Sequence, residues 1–252
     1  MSTLAIVQAR MSSTRFPGKV LADLQGEPMI IRQIERIRRA TTLDQIVVAT
    51  TTDPTDDELV VILDRAEIPY VRGDLDDVLG RFIQVLDHYK PDVVVRLTAD
   101  CPLTSPSVID QVVIAFHESH ADYLSNTMTP TFPDGLDVEV VTAEVLRKVN
   151  AVTQDKPERE HVTLGVYRRE DQFEIRNFAQ ERDLSKLRWT VDTPEDFTFV
   201  SDVYNELFPI NPEFEMRDVL QYLERHPERS RTDQDAMRNA ALQGLNTGAM
   251  NV

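Results

Sequence analysis

Apolar and polar positions along this chain follow two rhythms that alternate through its first half. Leu4 to Gln8 is a short apolar run of the kind that forms a strand, and Pro28 to Arg39 brings Ile30, Ile31, Ile34 and Ile37 onto one helical face. Asp44 to Thr50, rich in Val and Ile, reads as a second strand. A helix over Asp56 to Ala66, a short strand over Pro69 to Val71 and a helix over Asp74 to Tyr89 follow. Pro91 to Leu97 is almost continuously apolar, as expected of a strand covered on both faces. Pro106 to Ser119 predicts a helix with Ser105 as its N-cap. Strands alternating with helices in this way predict an α/β fold, with a mostly parallel central sheet flanked by helices.

The rhythm changes after Ala121. From there to about Lys186, strands over Asp137 to Val141 and Phe173 to Phe178 and helices over Ala143 to Asn150 and Pro157 to Arg168 are separated by irregular segments. We read residues 121–186 as a small inserted arm within one domain spanning 1–225. Leu187 to Val191 is expected to return to the main sheet. Helices over Pro194 to Leu207, with Pro194 in the first turn, and over Met216 to Glu224 close the domain. Residues 226–252 are polar and read as a frayed or partner-docked tail.

Composition narrows the class. With 252 residues, 41% hydrophobic and 28% charged, the chain is that of a globular protein with one sizeable core. No apolar run approaches the roughly 18 residues that span a membrane. The first residues lack a basic segment followed by an apolar core, and Cys101 is the only cysteine, so a cytoplasmic protein without a disulfide is expected. A net charge of −16 argues against a nucleic-acid surface.

Against that acidic background, Arg10, Arg15 and Lys19 cluster in the turn-rich stretch Gln8-Ala9-Arg10-Met11-Ser12-Ser13-Thr14-Arg15-Phe16-Pro17-Gly18-Lys19-Val20-Leu21. Such a segment can wrap a polyphosphate with amides, hydroxyls and cations. On composition alone it also reads as a basic surface loop. No Gly-x-Gly-x-x-Gly is present, and Gly18-Lys19 lacks the glycine of a Walker loop five positions earlier. Asp100, in Thr98-Ala99-Asp100-Cys101-Pro102-Leu103, follows the apolar strand at its carboxyl end, where ligands sit in open α/β sheets. Asp192, in Arg188-Trp189-Thr190-Val191-Asp192-Thr193-Pro194-Glu195-Asp196, lies between a strand and a helix. Either carboxylate can hold a metal ion or stabilise a turn or cap. Asp196, one turn later, is a further candidate. Asp76, Asp77 and Arg81 can equally be a solvated helix face, and the lone Trp189 reads as core.

These segments carry a resemblance. The loop is similar to the N-terminal signature of the sugar-activating cytidylyltransferases, the group of the CMP-ketodeoxyoctonate and CMP-sialate synthetases. It is most similar to the spore-coat polysaccharide (SpsF-like) branch, with Ser12 in place of a Gly and Phe16 in place of a Leu. Arg72 to Phe82, Phe132 to Val140 and Glu160-His161-Val162-Thr163 also match, and the resemblance runs from about residue 4 to 207. It implies a Rossmann-like nucleotide-diphospho-sugar transferase (GT-A-like) fold and transfer of CMP from CTP to a sugar, an ulosonic acid or related acceptor, with release of pyrophosphate. It implies Mg²⁺ on Asp100 and Asp192, with Arg15 and Lys19 at the triphosphate. Gln8, Ala9, Arg10, Ser12, Ser13, Arg72, Gly73, Asp77, Thr98 and Asp100 would border the nucleotide. Asp137, Glu139, Glu160 and His161 would meet the acceptor, and residues 121–186 would also form a homodimer contact. A glycosyltransferase or a sugar-phosphate nucleotidyltransferase of the same architecture, or a non-catalytic nucleotide-binding protein, are the competing readings.

Overall fold

The structure, a computed structural model, describes residues 1–232; the remainder of the expected 226–252 tail lies outside the described residues. Strand β1 (Thr3–Gln8) leads through a loop into a small hairpin, β2 (Asp23–Leu24) and β3 (Glu27–Pro28), and helix α1 (Met29–Ile37). Then come β4 (Gln45–Thr51), α2 (Asp57–Arg65), β5 (Tyr70–Gly73), α3 (Val78–Tyr89), β6 (Val93–Thr98) and α4 (Pro106–Ser119). The inserted region supplies β7 (Tyr123–Ser125), β8 (Glu139–Thr142), α5 (Ala143–Val152), α6 (Lys156–Glu160), α7 (Leu164–Tyr167) and β9 (Ile175–Asn177). Helices α8 (Pro194–Leu207) and α9 (Met216–Arg225) follow.

Seven strands form one sheet in the order β5-β4-β1-β6-β8-β7-β9. The β5-β4-β1-β6 half is parallel, β8 is antiparallel to both its neighbours, and β7 pairs parallel with β9. The inserted region therefore extends the main sheet. Side chains alternate between two cores, as the two-residue period of a strand requires. Ala5 and Val7 of β1 pack with α1, α4, α8 and α9, whereas Leu4 and Ile6 pack with α3, α5 and α7. The four isoleucines of α1 are all buried. Among the described residues no helix is long and apolar enough to cross a membrane.

Four local readings change. Helix α3 begins only at Val78, because Asp74 accepts from the amides of Asp76 and Asp77, and Asp77 caps the helix by accepting from Gly80 N at 2.8 Å. The helix expected over 157–168 is split into α6 and α7 by Val162, whose φ of 36° cannot continue a helix. Leu187 to Val191 does not rejoin the sheet; it makes only isolated bridges, Arg188 with Asp134 and Leu187 with Thr232. Ser105 does not cap α4 with its side chain, which bonds Glu215 instead, at 2.5 Å.

Candidate active site

The carboxyl ends of β1 and β6 open into a cleft of about 510 Å³. The loop after β1 forms one wall. Its start is fixed by Asp56, which accepts from Met11 N at 2.7 Å and from Thr50 and Thr51 at the end of β4. Its end turns on Gly18, at φ 71°, a left-handed conformation that suits a residue without Cβ. Phe16 packs edge-on against Phe197 of α8, with centroids 5.7 Å apart. Ser12, which replaces a glycine of the family pattern, is not left-handed, so the change carries no backbone strain.

Gly18 sets Lys19 at the start of a single helical turn, with its side chain directed inward. The Lys19 ammonium donates to Val191 O at 2.6 Å, Asp192 Oδ1 at 3.1 Å and Asp100 Oδ2 at 3.3 Å. Three segments more than 80 residues apart in sequence thus meet at one nitrogen. Burial opposes its charge, but Asp100 and Asp192 outweigh that and raise its pKa. Partial burial works against ionisation of Asp100 too, yet Lys19, with Thr98 Oγ1 donating at 2.6 Å, holds its carboxyl below the usual range. Arg15, exposed on the loop, pairs with Asp192 Oδ2 at 3.1 Å.

The segment carrying Asp192 is locked from behind. Val191 N donates to Asp100 O at 2.8 Å, and Trp189 N to Asp134 O at 2.6 Å. Gly135 permits this approach: a Cβ there would lie 2.6 Å from Thr190 N, and its φ is 109°. Buried Arg188 reaches Asp134 at 3.0 Å, Asp192 at 2.7 Å and Asp196 at 3.2 Å. Asp196 also closes the capping box of α8 with Thr193 and pairs with Arg231 at 3.0 Å. That carboxylate is therefore occupied in holding the helix start and Arg188, and it does not line the cleft.

The opposite wall belongs to the inserted region. Arg96 of β6 stands directly across from Glu139 of β8 and forms an ion pair with it, while donating to Gln8 Oε1 at 3.1 Å. Glu139 Oε2 also accepts from the hydroxyls of Tyr123 and Tyr167, each at 2.9 Å. Burial opposes ionisation of Glu139, but Arg96 and these hydroxyls keep its pKa lowered. Burial and Arg96 together push His161 below the ordinary histidine range.

Of the residues singled out in the sequence, Gln8, Ala9, Arg10, Ser12, Ser13, Arg15, Lys19, Thr98, Asp100 and Asp192 line this cleft, with Asp137, Glu139, Glu160 and His161 beside them. Arg72, Gly73 and Asp77 do not. Arg72 is spent on Thr51 O and on Asp57, Gly73 is paired within the sheet, and Asp77 caps α3 and pairs with Arg159. Arg96, Asp134, Tyr167 and Arg188 line the cleft without having been singled out as site residues. Arg96 had a signal, a lone charge inside an apolar strand. Cys101 lines it as well, but burial and the neighbouring Asp100 push its thiol well up, which disfavours a nucleophilic thiolate.

An open, mostly parallel sheet with a cationic loop after its first strand and two carboxylates gathered at the strand ends defines a nucleotidyltransferase. The cytidylyltransferase family model matches residues 4–229, and the chain belongs to that family of CTP-dependent nucleotidyltransferases. It is 32% identical over 230 residues to an uncharacterised protein of Methanocaldococcus jannaschii, covering 90% of this chain and 93% of that one. It is 31% identical over 232 residues to the spore coat polysaccharide biosynthesis protein SpsF of Bacillus subtilis, covering 89% and 95% respectively. A solved cytidylyltransferase from Leptospira borgpetersenii superposes with a TM-score of 0.86 at 29% identity, over 91% of this chain and 96% of that one.

Proposed function

We propose that this protein transfers CMP from CTP to a sugar, in a pathway that builds surface polysaccharide or glycan. The observation that carries the reading is the Lys19 ammonium within 3.3 Å of both Asp100 and Asp192, at the mouth of a cation-bearing loop. Lys19 and Arg15 bind the triphosphate, Arg15 as a fork across oxygens and Lys19 as a point charge. Both offset charge that builds on the departing pyrophosphate. Gln8, Ala9, Arg10, Ser12, Ser13 and Thr98 border the nucleotide. Asp137, Glu139, Glu160 and His161 face the acceptor.

Among the described residues no group of three or more His, Cys, Asp or Glu side chains is arranged to hold a metal ion. Two carboxylates brought to one point fit Mg²⁺, which prefers one or two carboxylates together with phosphate oxygens. Asp100 and Asp192 would hold it, and bound there it would supply charge neutralisation at the phosphates and acidify the acceptor hydroxyl. The acceptor oxygen forms the new bond to the α-phosphorus. The bond to the bridging oxygen breaks, and its electron pair leaves with pyrophosphate. Asp100, held ionised by Lys19 and Thr98, is a weak base, so the hydroxyl proton passes to solvent in the open cleft. The inserted region supplies the acceptor wall and a contact between two copies of the chain, and the reaction takes place in the cytoplasm.

Pyrophosphate release with CTP, UTP, ATP and GTP, each with Mg²⁺ and a panel of sugars, tests the reading. CTP is expected to be the productive nucleotide; a preference for UTP would move the protein to uridylyl transfer.

A further inference from the structure

Arg81 of α3 is only 2% exposed, yet among the described residues it has no ion pair. The carboxylates around it are engaged elsewhere. Asp56 accepts from Met11 N, Thr50 and Thr51, and Asp77 from Gly80 N and Arg159. Arg81 Nη1 donates to Asp74 O at 3.2 Å and to Leu75 O at 3.4 Å. Its buried Nε has no hydrogen-bond partner, and Nη2 donates to nothing among the described residues. Burial presses its pKa down, and Arg10 adds to that. One edge of a buried guanidinium, the fork of Nε and Nη2, is thus left for a partner the chain does not supply, and leaving it unmet is costly. Room is made for this side chain. A Cβ at Gly73 would stand 2.7 Å from Arg81 Cγ. Gly73 does not line the cleft, but it seats a residue that does.

The place of Arg81 in the sheet indicates what that partner is. Ala9, Val78 and Arg81 line the cleft together. Helix α3 packs on β4 and β5, and Ala9 N donates to Ala49 O of β4 at 3.1 Å. These residues hold the β5-β4 flank of the order β5-β4-β1-β6-β8. Lys19 gathers Asp100 and Asp192 beyond the end of β6, and Glu139 stands on β8. With the reacting phosphate near Asp100 and the acceptor against β8, the base falls on the opposite flank, beside Arg81.

Resting on the CMP-transfer reading above, we propose that Arg81, seated on Gly73, reads the pyrimidine ring and sets the choice of cytosine over uracil. Its Nε–H and Nη2–H donate to O2 and N3 of cytosine, two adjacent acceptors that match the fork. Uracil keeps O2 but carries a hydrogen on N3, so one bond is lost and two donors face each other. Ala9 and Val78 give the ring apolar contact.

Calorimetry of the parent with CTP, UTP and tripolyphosphate, each with Mg²⁺, comes first; a parent that binds no CTP brings down the CMP-transfer reading itself. The triphosphate of 2-pyrimidinone riboside, which keeps O2 and N3 and lacks the exocyclic amine, should bind the parent as CTP does. Arg81→Lys keeps a charge and a donor for the Asp74 and Leu75 carbonyls but has no fork. It should lower the CTP-to-UTP affinity ratio by ~10-fold or more, the scale of a bidentate base contact, and leave tripolyphosphate binding unchanged. Gly73→Ala keeps the guanidinium and displaces its stem, so it should lower the same ratio; melting curves check that both variants fold. The inference is overturned if a folded variant keeps the parental ratio, or if the pyrimidinone nucleotide binds the parent as weakly as UTP. Equal losses for CTP, UTP and tripolyphosphate would also overturn it, by making Arg81 a phosphate ligand. Should neither variant fold, the pyrimidinone nucleotide on the parent decides.

Discussion

Replacing Lys19 by Met tests the centre of the site with two effects of opposite sign. The substitution keeps a flexible apolar stem and removes the ammonium that Val191 O, Asp192 and Asp100 all share. Breaking a buried ion pair from one side costs about 3–5 kcal/mol. Asp100 and Asp192 still reach water, with side chains 28% and 21% exposed, so the low end applies. For a chain of this size about 3 kcal/mol corresponds to a fall in Tm of roughly 6–12 °C. Loss of a charged hydrogen bond worth about 1.5–3 kcal/mol should weaken CTP by roughly 10- to 150-fold. CMP, without β and γ phosphates, should be affected much less. The same deletion leaves two carboxylates facing each other without their shared cation, so the nucleotide-free variant should bind Mn²⁺ more tightly than the parent and regain part of its lost Tm on adding it. Calorimetry with CTP and CMP and melting with and without Mn²⁺ read all of this. Equal losses for the two nucleotides, or a variant whose melting ignores Mn²⁺, would refute the placement of Lys19 between triphosphate and metal ligands.

Asp100→Asn and Asp192→Asn should each lose most pyrophosphate release while remaining folded, as checked by circular dichroism; parental turnover in both would remove them from the site. Stability should form a plateau in pH. His161 lies below its ordinary 6.5, and Glu139 and Asp100 lie below 4.5 and 3.8, so their contributions are full above those values and are lost as pH falls through the folded-state pKa values. Lys19 is raised above 10.5, so its contribution is full below that value and lost only as pH rises beyond it. Denaturant melts from pH 3 to 11 check the shape, and a rise in stability on acidification below 6 would contradict it. Sedimentation at micromolar concentration should show a dimer through the inserted region; a monomer counts against that contact.

Legibility in the sequence followed the range of the interactions. Helices α4 and α8 were readable to the residue, because Pro at the first turn and an apolar stripe are local signals. The loop was legible as cations against an acidic background. Its contacts were not, since Lys19 meets Asp100 and Asp192 across 81 and 173 positions. The Arg96–Glu139 pair depends on the register of two antiparallel strands, which no local pattern specifies. The split at Val162 escaped for a different reason: a β-branched residue at positive φ is imposed by tertiary packing against local preference.

The docking of Arg231 and Thr232 onto the segment of Arg188 and Asp196 has a bearing on how the protein is handled. Arg188 N donates to Arg231 O at 2.9 Å, Leu187 bridges Thr232, and Arg231 reaches Asp196. All three contacts lie past residue 229, where the family match stops. An expression boundary drawn at that point would retain every strand of the sheet and remove the strap that holds the Arg188 segment from outside. Asp192 would then keep its backbone tie to Asp100 through Val191 but lose the outer clamp on its arginine. A shortened protein is then expected to fold, bind the phosphates of CTP weakly and register as inactive for want of two residues that no sheet or helix contains.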